Sequence, residues 1–69
     1  MERQIVDSSN INSIWYNKNE LILEIEFNSW DIYQYFWVSD FEYNNLINAS
    51  SHGSYFYNNI RTSYKYIKI

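Results

Sequence analysis

Residues 21–28 alternate without a break, with Leu21, Leu23, Ile25 and Phe27 on one parity and Ile22, Glu24, Glu26 and Asn28 on the other. Successive side chains of an extended chain point to opposite faces, so this run predicts a strand with one face buried and one facing water. Such a strand is stable only with hydrogen-bonded neighbours and a layer over its apolar face. The flanking residues supply the neighbours. Asn17-Lys18-Asn19 forms a turn on one side, and before it residues 6–16 open with a Ser-Ser-Asn turn. They continue as an irregular first strand, with Ile11, Ser13 and Trp15 opposed to Asn12, Ile14 and Tyr16. Asn28-Ser29 turns the chain again, and residues 31–38 (DIYQYFWV) are rich enough in aromatic and β-branched residues to predict a third strand of an antiparallel meander. Apolar side chains occupy both faces of that strand, which places it near the sheet centre or gives it an exposed patch.

The period changes at Ser39-Asp40. A capping residue precedes Phe41, Tyr43, Leu46 and Ile47, and Ser39 and Glu42 stand at capping-box spacing, predicting a helix over residues 40–49. Ser50-Ser51-His52-Gly53 interrupts it, and Ser51 is placed to cap a second short helix in which Phe56, Asn59 and Ile60 share a face. The alternation of residues 64–69 reads as an extended ending and a fourth strand. The expected fold is therefore α+β: a three- to four-stranded antiparallel meander followed by two short helices, in the order β-β-β-α-α-β.

Sixty-nine residues suffice for one domain and one small core. Cysteine is absent, which excludes disulfides, zinc ribbons and thiolate chemistry. Aromatic residues make up 22% of the chain, with eight tyrosines against four phenylalanines, so large amphipathic rings must fill the core and also populate the surface. The N-terminus has no secretory pattern and no stretch approaches a membrane span, so a cytoplasmic protein without membrane contact is expected. The ten asparagines suit turns and caps and carry no chemistry of their own.

Charge is unevenly spread. Residues 1–42 hold all eight acids with Arg3 and Lys18, for a charge of −6, whereas residues 43–69 hold Arg61, Lys65 and Lys68 and no acid, for +3. The balance of −3 argues against non-specific binding of duplex DNA, which needs many phosphate contacts. It leaves room for a single small anionic site near the C-terminus. The alternative is that the three cations are ordinary solvated charges.

Five short motifs, in order, resemble a known family. They are V-D-S-S-N-I (6–11), I-x-Y-N (14–17), Y-Q-Y-F-x-V (33–38), Y-x-x-L-x-x-A (43–49) and S-x-G-x-Y-F-x-x-x-I-R (51–61). Together they are similar to the KTSC domain, named for its occurrence at the C-terminus of some lysyl-tRNA synthetases, and they span nearly the whole chain. The resemblance implies one KTSC-like domain over residues 1–69, and its attachment to a tRNA enzyme implies RNA binding by association alone. The chain departs from the family at Trp15 and Trp30, where glycine is usual, and at Val38-Ser39, where the family has Val-Pro. Two large rings at former glycine positions are expected either to form an apolar patch, an interface for a protein partner or a homo-oligomer, or to fold back over the sheet.

His52 is the only imidazole, but adjacent serines in a loop do not make a triad, so no catalytic residue and no enzyme activity are expected. Glu24 and Glu26 lack a nearby His or Cys and read as a solvated strand edge, so no metal or other cofactor is expected. Gly53 is expected to supply a positive φ or a close backbone approach at the start of the second helix, with Ser51 as its cap. The same turn suits a phosphate or carboxylate, with Arg61 approaching from the far end of the helix. The expected ligand-binding set is Tyr33, Tyr35, Ser51, Gly53, Arg61 and Lys65, holding RNA or a small nucleotide-like anion. The alternative is a protein-interaction or homo-oligomeric module using Trp15 and Trp30, including the arrangement of compact phage proteins that sequester a nucleotide signal between chains.

Overall fold

The alternating run becomes the middle strand of a five-stranded antiparallel sheet in the computed structural model. Residues 3–6 and 8–69 are described; Met1, Glu2 and Asp7 lie outside them, and Asp7 falls within both the expected first strand and the first family motif. The elements are β1 (Gln4–Ile5), β2 (Ile11–Asn17), β3 (Ile22–Phe27), β4 (Ile32–Phe36), α1 (Asp40–Ile47), α2 (His52–Asn59) and β5 (Tyr66–Lys68). Spatial order follows chain order, and β5 returns after the helices to pair antiparallel with β4. The α+β class and the meander followed by two helices are as expected. The sheet has one strand more than the expected three to four, because Gln4 and Ile5 pair with Ile14 and Ser13. A two-residue strand is too short to show a period in sequence.

Strand β2 explains why the first strand reads as irregular. Ile11 pairs with Phe27 and Ser13 with Glu26, so Asn12 is an extra residue and the register shifts there. A bulge of this kind reverses side-chain parity. Ile11 therefore faces the core together with Ile14 and Tyr16, all three fully buried, even though they differ in parity. On β3 the inward face is Leu23, Ile25 and half-buried Phe27. Leu21, counted with the strand by alternation, instead sits in the β2–β3 turn at φ 57° and accepts a hydrogen bond from Val38 N–H at 3.0 Å.

Both helices lie on one face of the sheet. Ser39 caps α1 by accepting from Glu42 N–H at 3.1 Å, and Ser51 caps α2 by accepting from Ser54 N–H at 3.2 Å. Tyr43 and Leu46 of α1 and Phe56 of α2 are buried, as is Ile60 at its C-cap. Asn59, expected on that face, is exposed and donates to Tyr55 O. The capping box is only half made, because the Glu42 carboxylate accepts from the hydroxyls of Tyr55 and Tyr64. One acid thus ties α1 to α2 and to the segment entering β5.

The opposite face has a polar centre. Glu24 receives the Arg3 guanidinium and Gln34 Nε2, while Glu26 accepts from Ser13 Oγ at 2.8 Å and Asn12 Nδ2 at 3.0 Å. The Ser13 and Asn12 hydrogen bonds hold the Glu26 carboxyl below its ordinary pKa. These acids are therefore not a solvated edge: β3 lies between β2 and β4, and each carboxylate has partners on its neighbours.

Trp15 and Trp30 have different settings. Trp15 is half-buried within β2, opposite Glu24 and away from any turn. Trp30 closes a three-residue hairpin loop, in which Trp30 N–H donates to Phe27 O and Phe27 N–H donates to Asp31 O, both at 2.9 Å. Its φ is 71°, the left-handed conformation that favours glycine in such loops. The ring is 73% exposed, so it repays little of that strain by packing.

Trp30→Gly is expected to leave stability unchanged or to raise it by up to about 1 kcal/mol, since relief of left-handed strain opposes the added freedom of the unfolded chain. Urea unfolding checks this, and a loss above about 1 kcal/mol would show that the ring packs. A second expectation concerns alkali. Burial and the Glu42 hydrogen bond push the Tyr64 phenol up to about 12, and burial together with Tyr33 and Tyr66 does the same for Tyr35. The native state then keeps protons that the unfolded chain loses near pH 10, so stability is full below about pH 10 and falls as pH rises through 12. Thermal midpoints between these values should decline, with a shallower slope in Tyr64→Phe; an identical slope would rule out this linkage.

Candidate ligand-binding site

Tyr33 and Tyr35 are alternate residues of β4 and leave the same face of the sheet. Tyr66 pairs opposite Tyr35 on β5, and its ring centroid lies 5.7 Å from that of Tyr33 and 5.6 Å from that of Tyr35. Phe27 adds an edge against Tyr33 at 5.6 Å. From above, α2 lowers Phe56 onto Phe27 and Tyr35, at 5.4 and 5.3 Å. These five rings form a continuous aromatic floor.

An open cavity of about 800 Å³ lies over this floor. Its helix side carries Gly53, Tyr57 and Arg61, and its other side the Asn28-Ser29 turn and Asp31. Ser9 and Asn10 close a third side because Asn28 holds their loop: its Nδ2 donates to Ser8 O and Ser9 O, and its N–H donates to Asn10 O at 2.8 Å. Within the loop, Ser8 Oγ accepts from the N–H groups of Asn10 and Ile11. Several separate segments thus meet at one opening.

Gly53 has no positive φ, so the first of its two expected roles does not hold. The second is not required either: a Cβ there would stand 3.4 Å from Ser8 Oγ and 3.6 Å from Asn10 Nδ2, ordinary contact with two side chains, so Gly53 lies beside the Ser8–Asn10 loop without a close backbone approach.

Of the expected binding residues, Tyr33, Tyr35, Gly53 and Arg61 line this cavity. Ser51 does not; it caps α2 and lines an adjoining recess of about 220 Å³ with His52 and Gly53. Lys65 lies elsewhere. Its carbonyl accepts from Phe36 N–H at 2.9 Å, extending the β4–β5 pairing, and alternation from Tyr66 directs Lys65 to the face away from the helices. Trp15 and Trp30 do not share a patch, since Asn12, Ser13 and Ile14 separate Trp15 from the Ile11–Phe27 end that carries the Trp30 loop.

The cavity's charges are few and defined. The Arg61 guanidinium stands 4.8 Å from the Tyr57 ring centroid, a cation–π contact that holds it at the rim. Asp31 accepts from Ser29 Oγ at 3.1 Å and pairs with Lys68 Nζ at 3.3 Å. Asp31, Phe56 and Phe27 are lining residues that the sequence alone does not single out for binding. Parity with Tyr33 and Tyr35 was the one available signal for Asp31.

The His52 and Ser51 side chains both hold helix ends. His52 Nε2 lies 3.2 Å from Ile47 O, so the imidazole joins the end of α1 to the start of α2. Ser51 Oγ is engaged in capping. Among the described residues, no group of three or more His, Cys, Asp or Glu side chains is placed to hold a metal, and no helix is long and apolar enough to cross a membrane.

Comparison with known proteins agrees with this geometry. Curated proteins give no match. The crystal structure of a KTSC domain protein from Yersinia pestis superposes with a TM-score of 0.95 at 37% identity, over 99% of this chain and 96% of that one. The model of the KTSC domain family matches residues 7–64. With a family match over most of its length and a fold held in common at that identity, the chain belongs to the KTSC domain family.

Proposed function

We propose that this KTSC domain is a binding module whose aromatic cavity holds a nucleotide, either free or as one splayed unit of single-stranded RNA. The observation that carries this reading is the meeting of Tyr33, Tyr66 and Arg61 at one opening, backed by the buried ring of Tyr35. Rings of this kind stack on bases of any identity, and a guanidinium pairs with phosphate. The cavity volume lies within the usual range for small-molecule sites. Charge placement favours one nucleotide over a long strand: Lys68 is paired with Asp31, and Lys65 belongs to the other face. Arg61 is the cation that lines the cavity, so one phosphate is matched and a phosphate track is not.

Calorimetric titration with nucleoside monophosphates, cyclic nucleotides and short single-stranded RNA tests the proposal. Arg61→Ala should weaken binding by about tenfold or more through loss of a charge-assisted contact. Tyr66→Ala, on the outer strand, should weaken it by about fivefold or more through loss of stacking. Absence of binding to any of these ligands, or equal binding by Arg61→Ala, would overturn the proposal.

A further inference from the structure

Resting on the cavity as a nucleotide site, we infer that Asp31 makes it selective for guanine, reading the base edge while the tyrosine rings hold its face and Arg61 takes the phosphate. Asp31 immediately precedes β4, and its parity with Tyr33 and Tyr35 sets it on the side of the sheet that carries the aromatic floor. Among the described residues it is also the one carboxylate lining the cavity.

Its carboxylate is positioned but not saturated. Lys68 Nζ lies 3.3 Å from Oδ1 and Ser29 Oγ donates to Oδ2 at 3.1 Å, while two oxygens together offer about four acceptor sites. The side chain is 45% exposed, which leaves it reachable by a ligand. The Ser29 bond and the adjoining hairpin fix where it points, because Phe27 N–H donates to Asp31 O at 2.9 Å.

A carboxylate only accepts hydrogen bonds, and this separates the bases. Guanine presents N1–H and the N2 amino group side by side and can give both to one carboxylate. Adenine and cytosine each offer one amino group next to a ring-nitrogen acceptor, which the carboxylate repels. Uracil offers one N–H flanked by two carbonyls. Each wrong base leaves the carboxylate facing a lone pair after desolvation, and bidentate edge recognition of this kind separates bases by about 1–3 kcal/mol. Solvent access at Asp31 places the expected discrimination near the middle of that range, about tenfold.

Titration of the wild-type chain with GMP, AMP, CMP and UMP gives the first measure, and it needs no variant. GMP should bind about tenfold more tightly than the other three. Asp31→Asn should lose that preference and instead favour xanthosine monophosphate, whose C2 carbonyl accepts from an amide N–H where the guanine amino group cannot. Lys68→Ala removes the same ion pair but keeps the carboxylate, and should retain the preference for GMP. Binding of all four nucleotides within threefold, a preference for another base, or a GMP preference that survives Asp31→Asn would each overturn guanine selectivity while leaving the nucleotide site standing. Failure of every nucleotide to bind would overturn both together.

Discussion

The Tyr16 side chain is the point on which the sheet, the first helix and the corner between them depend. Its ring is fully buried and stacks on Tyr43 of α1, with centroids 4.5 Å apart and planes 8° from parallel. Its hydroxyl donates to Val38 O at 2.5 Å. A buried phenol without a partner costs about 1–3 kcal/mol, and so does the carbonyl it serves, so the pair fixes where the chain must turn. The turn itself uses Trp37 at φ 65°, whose ring stays outside while Val38 enters the core and donates to Leu21 O. Tyr16 is held on the covered face by its pairing with the buried Leu23, and the bulge at Asn12 lets Ile11 share that face.

That arrangement also determines where a ligand site can be. Two eight-residue helices cannot roof a five-stranded sheet on both sides, so the core occupies one face only. Helix α2 reaches the sheet through Phe56 and Ile60, and beyond Phe56 the rings of Tyr33 and Tyr66 are left partly uncovered. The cavity is this unroofed end of the aromatic layer. Its rim is made by segments that serve other purposes as well: the Asn28 hairpin, the Ser8–Asn10 loop packed against Gly53, and Arg61 just past the helix end.

Legibility from sequence followed the range of the interactions. The alternation in β3 and the Ser39 and Ser51 caps are local signals and appear where the pattern puts them, whereas Gly53, expected to interrupt the helices, lies in the first turn of α2 and the interruption falls before it, at residues 48–51. The boundaries of β4 were read too long because an apolar run continues through Trp37 and Val38, and only backbone φ distinguishes its corner from its strand. Tyr33, Tyr35, Gly53 and Arg61 were legible as a group because ring, glycine and cation stand out by type. Lys65 and Ser51 were drawn to the same group by nearness in sequence, but strand parity sends Lys65 to the other face and capping occupies Ser51. Asp31 was missed because an acid among eight has no distinguishing mark until it stands beside a cavity.

By itself the sequence determined the α+β class, the meander followed by two helices, and the concentration of tyrosine and positive charge in the last third, since periodicity, caps and composition act over a few residues. Only the tertiary structure decided which of those residues meet. The bulge in β2 put Ile11 on the covered face with Tyr16, pairing of β5 with β4 brought Tyr66 to Tyr35, and the Glu42 carboxylate drew Tyr55 and Tyr64 together. Such contacts join residues far apart in the chain, and no local pattern records them.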